Sequence, residues 1–114
     1  MLSGMRGFLG VLLGLAAASA AAAPVRWLDA AAWARPRDGA YVRTLAPVAE
    51  TVRAYLQAPH ARIVIRYPSG EEGILWAEEL RAWLVALGVP SAQVETLPGS
   101  GRDDALALSV EPRP

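Results

Sequence analysis

The sequence predicts a two-layer α+β domain: a three- to four-stranded sheet with two helices on one face, in the order β-α-β-α-β-β. Three observations carry this. Apolar residues recur at three- and four-residue spacing in two stretches, Leu45 to Leu56 and Trp76 to Leu87, as the buried faces of two amphipathic helices require. Between them the β-branched run Ile63-Val64-Ile65 reads as a buried central strand. Near the end Leu106, Leu108 and Val110 alternate with Ala107 and Ser109, the two-residue period of a half-buried strand.

Size and charge narrow the possibilities. The chain has 114 residues, 11 Lys+Arg against 11 Asp+Glu, 54% hydrophobic residues, one His and no Cys, which allows one small domain. Zero net charge argues against a sequence-independent nucleic-acid binder, which needs surplus cations to displace phosphate counterions. The lack of cysteine excludes a disulfide framework, thiol chemistry, Cys-ligated zinc and a lipid attached to an N-terminal cysteine. Every cation is Arg, and there is no Lys or Asn, which fits a GC-rich coding bias better than functional selection.

Residues 1 to 23 read as a secretory signal peptide. Arg6 sits in a short n-region, Phe8 to Leu15 is apolar, and Ala16 to Ala23 is almost entirely small residues. Ala18-Ser19-Ala20 and Ala20-Ala21-Ala22 fit the small-x-small cleavage pattern, which places the cut between Ala20 and Ala22 and the mature protein in the periplasm. The competing reading is an uncleaved inner-membrane anchor, but Gly10, Gly14 and the alanines make the stretch short and weakly apolar for a span of about 20 residues. No stable membrane span is expected after cleavage. The mature part carries ten Arg (the 11 cations less Arg6) against 11 acids, so it stays near neutral. A domain of this size buries roughly 60–68% of its unfolded surface and can fold without disulfides.

In the mature chain, residues 24 to 43 form an N-terminal strand and loop segment, and 44 to 114 a compact α+β domain. Val25 to Leu28 reads as a short strand; Arg35-Pro36-Arg37-Asp38-Gly39 reads as a turn or loop by its Pro and Asp-Gly content. Helix one starts near Leu45, with Thr44 as N-cap and Pro47 tolerated in the first turn, and ends before Pro59. The central strand closes on Tyr67-Pro68-Ser69-Gly70, and Ser69 with Glu72 has the capping-box spacing for helix two. There Trp76, Ala77, Leu80, Trp83, Leu84 and Leu87 share a face, while Glu78, Glu79, Arg81 and Ala82 turn outward. Gly88 supplies a left-handed stop before Pro90. A third strand runs from Gln93 to Leu97 and a fourth from Ala105 to Val110, joined through Gly99-Ser100-Gly101-Arg102, which reads as a hairpin turn.

No catalytic constellation stands out. His60 is the lone histidine, reads as a solvent-facing loop residue, and without cysteine could hold zinc only together with carboxylates. Ser69 reads as a cap and Ser100 as a turn residue, neither in a nucleophile-elbow context. Glu71-Glu72 at a helix N-terminus complement the macrodipole, and no calcium-loop pattern surrounds the acidic pairs. The sequence calls for no cofactor and no metal. Trp76 and Trp83 belong to the core. Trp27 and Trp33 either pack back over the sheet or mark a partner surface, and packing is the favoured reading.

The run from Arg62 to Leu97 resembles the OmpA-like peptidoglycan-associated domain, a β-α-β-α-β module of the bacterial envelope. Ile65-Arg66-Tyr67-Pro68-Ser69-Gly70-Glu71-Glu72-Gly73 has the length and final Gly of that family's hydrophobic-x-Gly-His-Thr-Asp-x-x-Gly motif. Trp76 to Pro90 follows the spacing of its helix motif, and Ala92 to Thr96 lies where the family enters its next strand. The family grips the diaminopimelate of peptidoglycan with the motif Asp and a helix Arg; these positions are Gly70 and Trp76 here. That exchange removes a charged acceptor and a bidentate donor, so the resemblance implies the skeleton without its grip.

The expected function is therefore a non-enzymatic periplasmic binding module, a degenerate OmpA-like domain whose partner is an envelope protein. The alternative is residual contact with peptidoglycan through Arg66, Glu71 or Arg102. A third reading, a small periplasmic hydrolase or metal-dependent enzyme, requires Glu71 or Asp103 to meet His60 in one pocket.

Overall fold

The computed structural model describes residues 23–114. The signal-peptide reading falls on residues 1 to 22, outside those described, apart from Ala23. Among the described residues no helix is long and apolar enough to cross a membrane.

Four strands form one sheet: β1 (Arg26–Asp29), β2 (Ala61–Tyr67), β3 (Val94–Pro98) and β4 (Ala105–Pro112). Helices α1 (Ala30–Trp33), α2 (Gly39–Thr44) and α3 (Ala46–Gln57) lie between β1 and β2, and α4 (Glu71–Ala86) between β2 and β3. The strand order is β1-β4-β2-β3. β2 runs parallel to β3 and antiparallel to β4, which in turn runs antiparallel to β1. Helix α3 packs on β1, β4 and β2, and α4 on β2 and β3, giving the expected two layers.

That strand order corrects one expectation. β3 and β4 are not a hairpin, because β2 lies between them. The connection crosses the end of β2, where the amides of Gly99 and Ser100 both donate to the Tyr67 carbonyl at 2.9 and 3.2 Å. Two loops therefore meet where β2 ends, which no hairpin would arrange.

The core lies between the layers. Leu28, Ile63, Ile65, Leu106 and Leu108 from the sheet meet Val48 of α3 and Ala77, Leu80 and Leu84 of α4. Each such leucine or isoleucine contributes about 1.5–3 kcal/mol by leaving water. Trp33 and Val42 join this cluster, so residues 24 to 43 supply core as well as the edge strand β1. Arg37 fastens that stretch to α4: its Nε donates to Glu79 at 2.7 Å, and its guanidinium lies 4.7 Å from the Trp33 ring.

Helix ends account for further differences. Thr44 closes α2 rather than capping α3, its hydroxyl donating to the Tyr41 carbonyl at 2.7 Å, and Leu45 takes the N-cap position instead. Asp38 caps α2 by accepting from the Tyr41 amide at 2.7 Å. Leu56, expected on the buried face, is 75% exposed, because Thr51 and Val48 are the residues of α3 that turn inward. Gly70, not Ser69, is the N-cap of α4, with φ 107° and no side-chain cap. Arg81 is not a free outward residue: its guanidinium donates to the carbonyls of Ser91 and Val94 at 3.1 and 3.3 Å, which holds the 3₁₀ turn Ser91–Gln93 before β3.

Two glycines are demanded by the backbone. A Cβ on Gly73 would sit 2.0 Å from the Pro68 carbonyl oxygen, so this close approach of helix and loop admits only hydrogen. Gly88, at φ 114°, ends α4 in a Schellman arrangement: its amide bonds to Val85 and that of Val89 to Leu84, both at 3.0 Å.

Candidate functional site

The described helices pack on one sheet face, and among the described residues no helix packs on the other. Opposite residues on paired strands share a face, so the register sets Trp27, Ala107, Arg66 and Leu97 in one row across that face. The next rows hold Ser109, Val64 and Glu95, then Glu111 and Arg62. Along β4 the outward residues are Ala105, Ala107 and Ser109, all small and all buried. Their neighbours on β1 and β2 are larger. A shallow trough therefore runs along β4 between Trp27 on one side and Arg62 and Arg66 on the other, with Val64, fully buried, part of its closed floor. This corrects the reading of β4 as half-buried, since its solvent-side residues are shielded by those walls.

The trough widens into a recess of about 510 Å³ lined by Ala23, Val25, Arg66, Ser109, Glu111 and Pro112. Val25 and Trp27 are 47% and 36% exposed. Trp27 is thus not packed into the core, unlike Trp33, which is.

Charge on this face is paired in a chain. Arg66 Nη1 donates to Glu111 Oε2 at 2.7 Å, and the Ser109 hydroxyl donates to the same oxygen at 2.7 Å. Arg62 bonds Glu95 and stands 3.7 Å from Glu111. The hydrogen bond from Arg66, reinforced by that from Ser109, holds the Glu111 carboxyl below the ordinary carboxylate range. Glu111 is therefore a carboxylate at neutral pH, paired with Arg66.

Arg102 reaches the same face from the loop after β3, its guanidinium 4.4 Å from the Trp27 ring centroid. Ser100, expected only as a turn residue, organises that loop: its hydroxyl donates to the Arg102 carbonyl at 2.8 Å. Beside it a cleft of about 220 Å³ opens between Pro68 and Ser69 on one loop and Ser100, Arg102 and Asp103 on the other. Of the three expected binding residues, the structure brings Arg66 and Arg102 to one face around Trp27. Glu71 is left apart, exposed in the first turn of α4.

Gly70 and Trp76, the positions that the resemblance sets against an Asp and an Arg, offer no charged group. Gly70 adopts φ 107° and ψ 168°, a conformation open essentially to glycine alone. Trp76 packs against the core, and its buried Nε1 finds no hydrogen-bond partner among the described residues.

His60 lies before β2, whereas Glu71 and Asp103 lie beyond its far end. Seven residues of strand separate them, about 20 Å at 3.3 Å per residue. The pocket that a His60-based catalyst with either acid requires does not form. Among the described residues no three His, Cys, Asp or Glu side chains group so as to hold a metal ion.

Sequence reasoning missed Trp27, Ser109 and Glu111 as partners of the two arginines. Their signal was the small-residue alternation Ala105, Ala107, Ser109 beside a strand flanked by Arg62 and Arg66.

The chain matches no protein-family model, no curated protein and no solved structure.

Proposed function

We propose that this chain is an exported, non-enzymatic binding domain of the bacterial envelope that receives an extended segment of a protein partner in the trough along β4. The observation that carries this reading is the sheet face on which no described helix packs, where the exposed Val25 and Trp27 stand beside the recess at Ser109 and a line of paired charges. Exposed tryptophan and arginine supply most of the energy in protein interfaces. Ordered ion pairs around them set register and exclude wrong partners. Export rests on the signal-like residues 1 to 23 and places the partner in the periplasm.

A second reading, contact with peptidoglycan, is favoured by the cleft beside Arg102. It lies at the loop of the OmpA-like motif, and Arg102 and Asp103 on its wall could meet the carboxylate and ammonium of a stem-peptide residue. Glu71 stands in the first turn of α4, outside the residues that line the cleft, and serves as a dipole-complementing residue. The Gly73 to Pro68 approach supports the skeleton of that resemblance, since the motif's final glycine is the one residue the packing requires.

Co-sedimentation with purified sacculi and affinity capture from solubilised envelope separate the two. With Trp27→Ala and Asp103→Asn variants beside the parent, the protein reading predicts capture of a discrete protein that Trp27→Ala abolishes and Asp103→Asn spares. The cell-wall reading predicts sedimentation with sacculi that Asp103→Asn abolishes. Capture that neither variant changes contradicts both.

A further inference from the structure

We propose a second binding site, independent of the trough, in which Arg113, His60 and Gln93, the last held by Tyr55, bind the carboxylate of a small ligand of about one residue's size. Four segments converge there, at the end of the sheet away from the Arg102 cleft. Tyr55 comes from the last turn of α3, His60 from the link into β2, Gln93 from the 3₁₀ turn before β3 and Arg113 from the chain after β4. Together with Leu56 and the alanines Ala58 and Ala61 they border an open depression of about 290 Å³, near the lower end of ligand-pocket sizes.

Polar groups here are arranged as donors. The Arg113 amide bonds the His60 carbonyl at 2.9 Å, and the Arg113 guanidinium stands 3.1 Å from His60 Nδ1. A guanidinium only donates, so Nδ1 accepts and the ring proton sits on Nε2, free to donate. The Tyr55 hydroxyl bonds Gln93 Oε1, which fixes the amide and leaves its NH₂ without an acceptor among the described residues. No carboxylate lines the pocket, and Arg113 makes no ion pair among the described residues. A fork of donors around one guanidinium matches a planar carboxylate.

Two further features fit occupancy by a ligand with a short apolar part. His60 is the one non-glycine residue of the described chain at positive φ, 54°, a conformation that side chains rarely adopt and that here sets the imidazole beside Arg113. Leu56, left 75% exposed although its helix has a core to face, forms the apolar wall.

The test is an NMR titration of the full chain with N-acetylalanine, its neutral carboxamide and inorganic phosphate, read at the Gln93 side-chain amide and the His60 ring. Saturable shifts with N-acetylalanine are expected, about tenfold weaker with the carboxamide, equivalent to a loss of about 1.4 kcal/mol. Arg113→Gln should weaken binding about tenfold while leaving core resonances in place, and Tyr55→Phe should weaken it several-fold by releasing Gln93. Equal binding of acid and carboxamide, tighter binding of phosphate, an Arg113→Gln variant that binds like the parent, or no saturation by N-acetylalanine each overturns the proposal. Any of these leaves the trough reading standing, because Trp27 and Arg66 take no part.

Discussion

Arg102 and Trp27 are partners across the mouth of the trough, the guanidinium carbon 4.4 Å from the indole centroid. The pair is exposed, so it adds little to folding, about 0.5–1 kcal/mol for a cation–π contact in water. What it does is fix the Trp27 ring beside a sheet face on which no described helix packs. Arg66, two strands away in the same row, closes the opposite wall through its bond to Glu111.

Arg102→Ala should therefore leave stability nearly unchanged while exposing the indole. The expected outcome is a loss of about 1 kcal/mol or less in urea unfolding, together with increased acrylamide quenching of tryptophan fluorescence. The increase should vanish when Trp27→Phe is added, since the other tryptophans do not meet Arg102.

Gly73→Ala should be far more damaging than its size suggests. The new methyl would lie 2.0 Å from the Pro68 oxygen, and either the loop or the helix must move. A loss of about 1–3 kcal/mol is expected, as for overpacking at a tight contact. Ala82→Gly, on the exposed face of the same helix, should cost about 1 kcal/mol from propensity alone. Urea midpoints of the two variants compare them directly.

Acid should weaken the domain through two carboxylates. Glu79 is held below its ordinary value of 4.5 first by the Arg37 hydrogen bond, and Glu111 by that of Arg66. A carboxylate whose folded pKa is depressed contributes stability that is complete above the unfolded value and is lost as pH falls through the folded one. Stability should thus hold from neutral pH down to about 4.5 and decline below it. Arg37→Gln should flatten the Glu79 part of that decline, and because the pair is partly solvated the effect is of surface size, about 0.2–1 kcal/mol. Denaturation midpoints above and below that range measure it.

An aspartate at position 70, as the OmpA-like resemblance would have it, should be costly. Gly70→Asp places a side chain at φ 107° and is expected to lose about 1–3 kcal/mol, even though no atom stands in the way of its Cβ. Loss of stability well below that range would mean the loop readily adopts another backbone.

Much of this fold was legible in the sequence because its signals were local. Ile63 and Ile65, the alternation from Leu106 to Val110, and the face from Ala77 to Leu84 each announce an element and the side it buries. Helices α1 and α2 were not legible, being too short to show periodicity. Capping positions misled: Thr44 and Ser69 have the right chemistry, but Leu45 and Gly70 stand where the chain turns. The hairpin reading failed since local turn chemistry is silent about which strand lies alongside. The site suffered most from that. Arg66 and Arg102 were identifiable as unspent cations, but Trp27 became their neighbour only through β4, which enters the sheet between β1 and β2. Glu71 was drawn in by sequence proximity to the motif and is separated by the turn into α4.

The most direct test of the trough as the partner-binding face is photo-crosslinking in the intact cell envelope, with a benzophenone amino acid placed at Trp27 and, in a second variant, at Leu75 on the outer side of α4. The account predicts a discrete protein adduct from position 27, lost when Arg66→Glu reverses the charge of the far wall, and no such adduct from position 75. The same adduct from both positions, or none from position 27 while position 75 gives one, would contradict it.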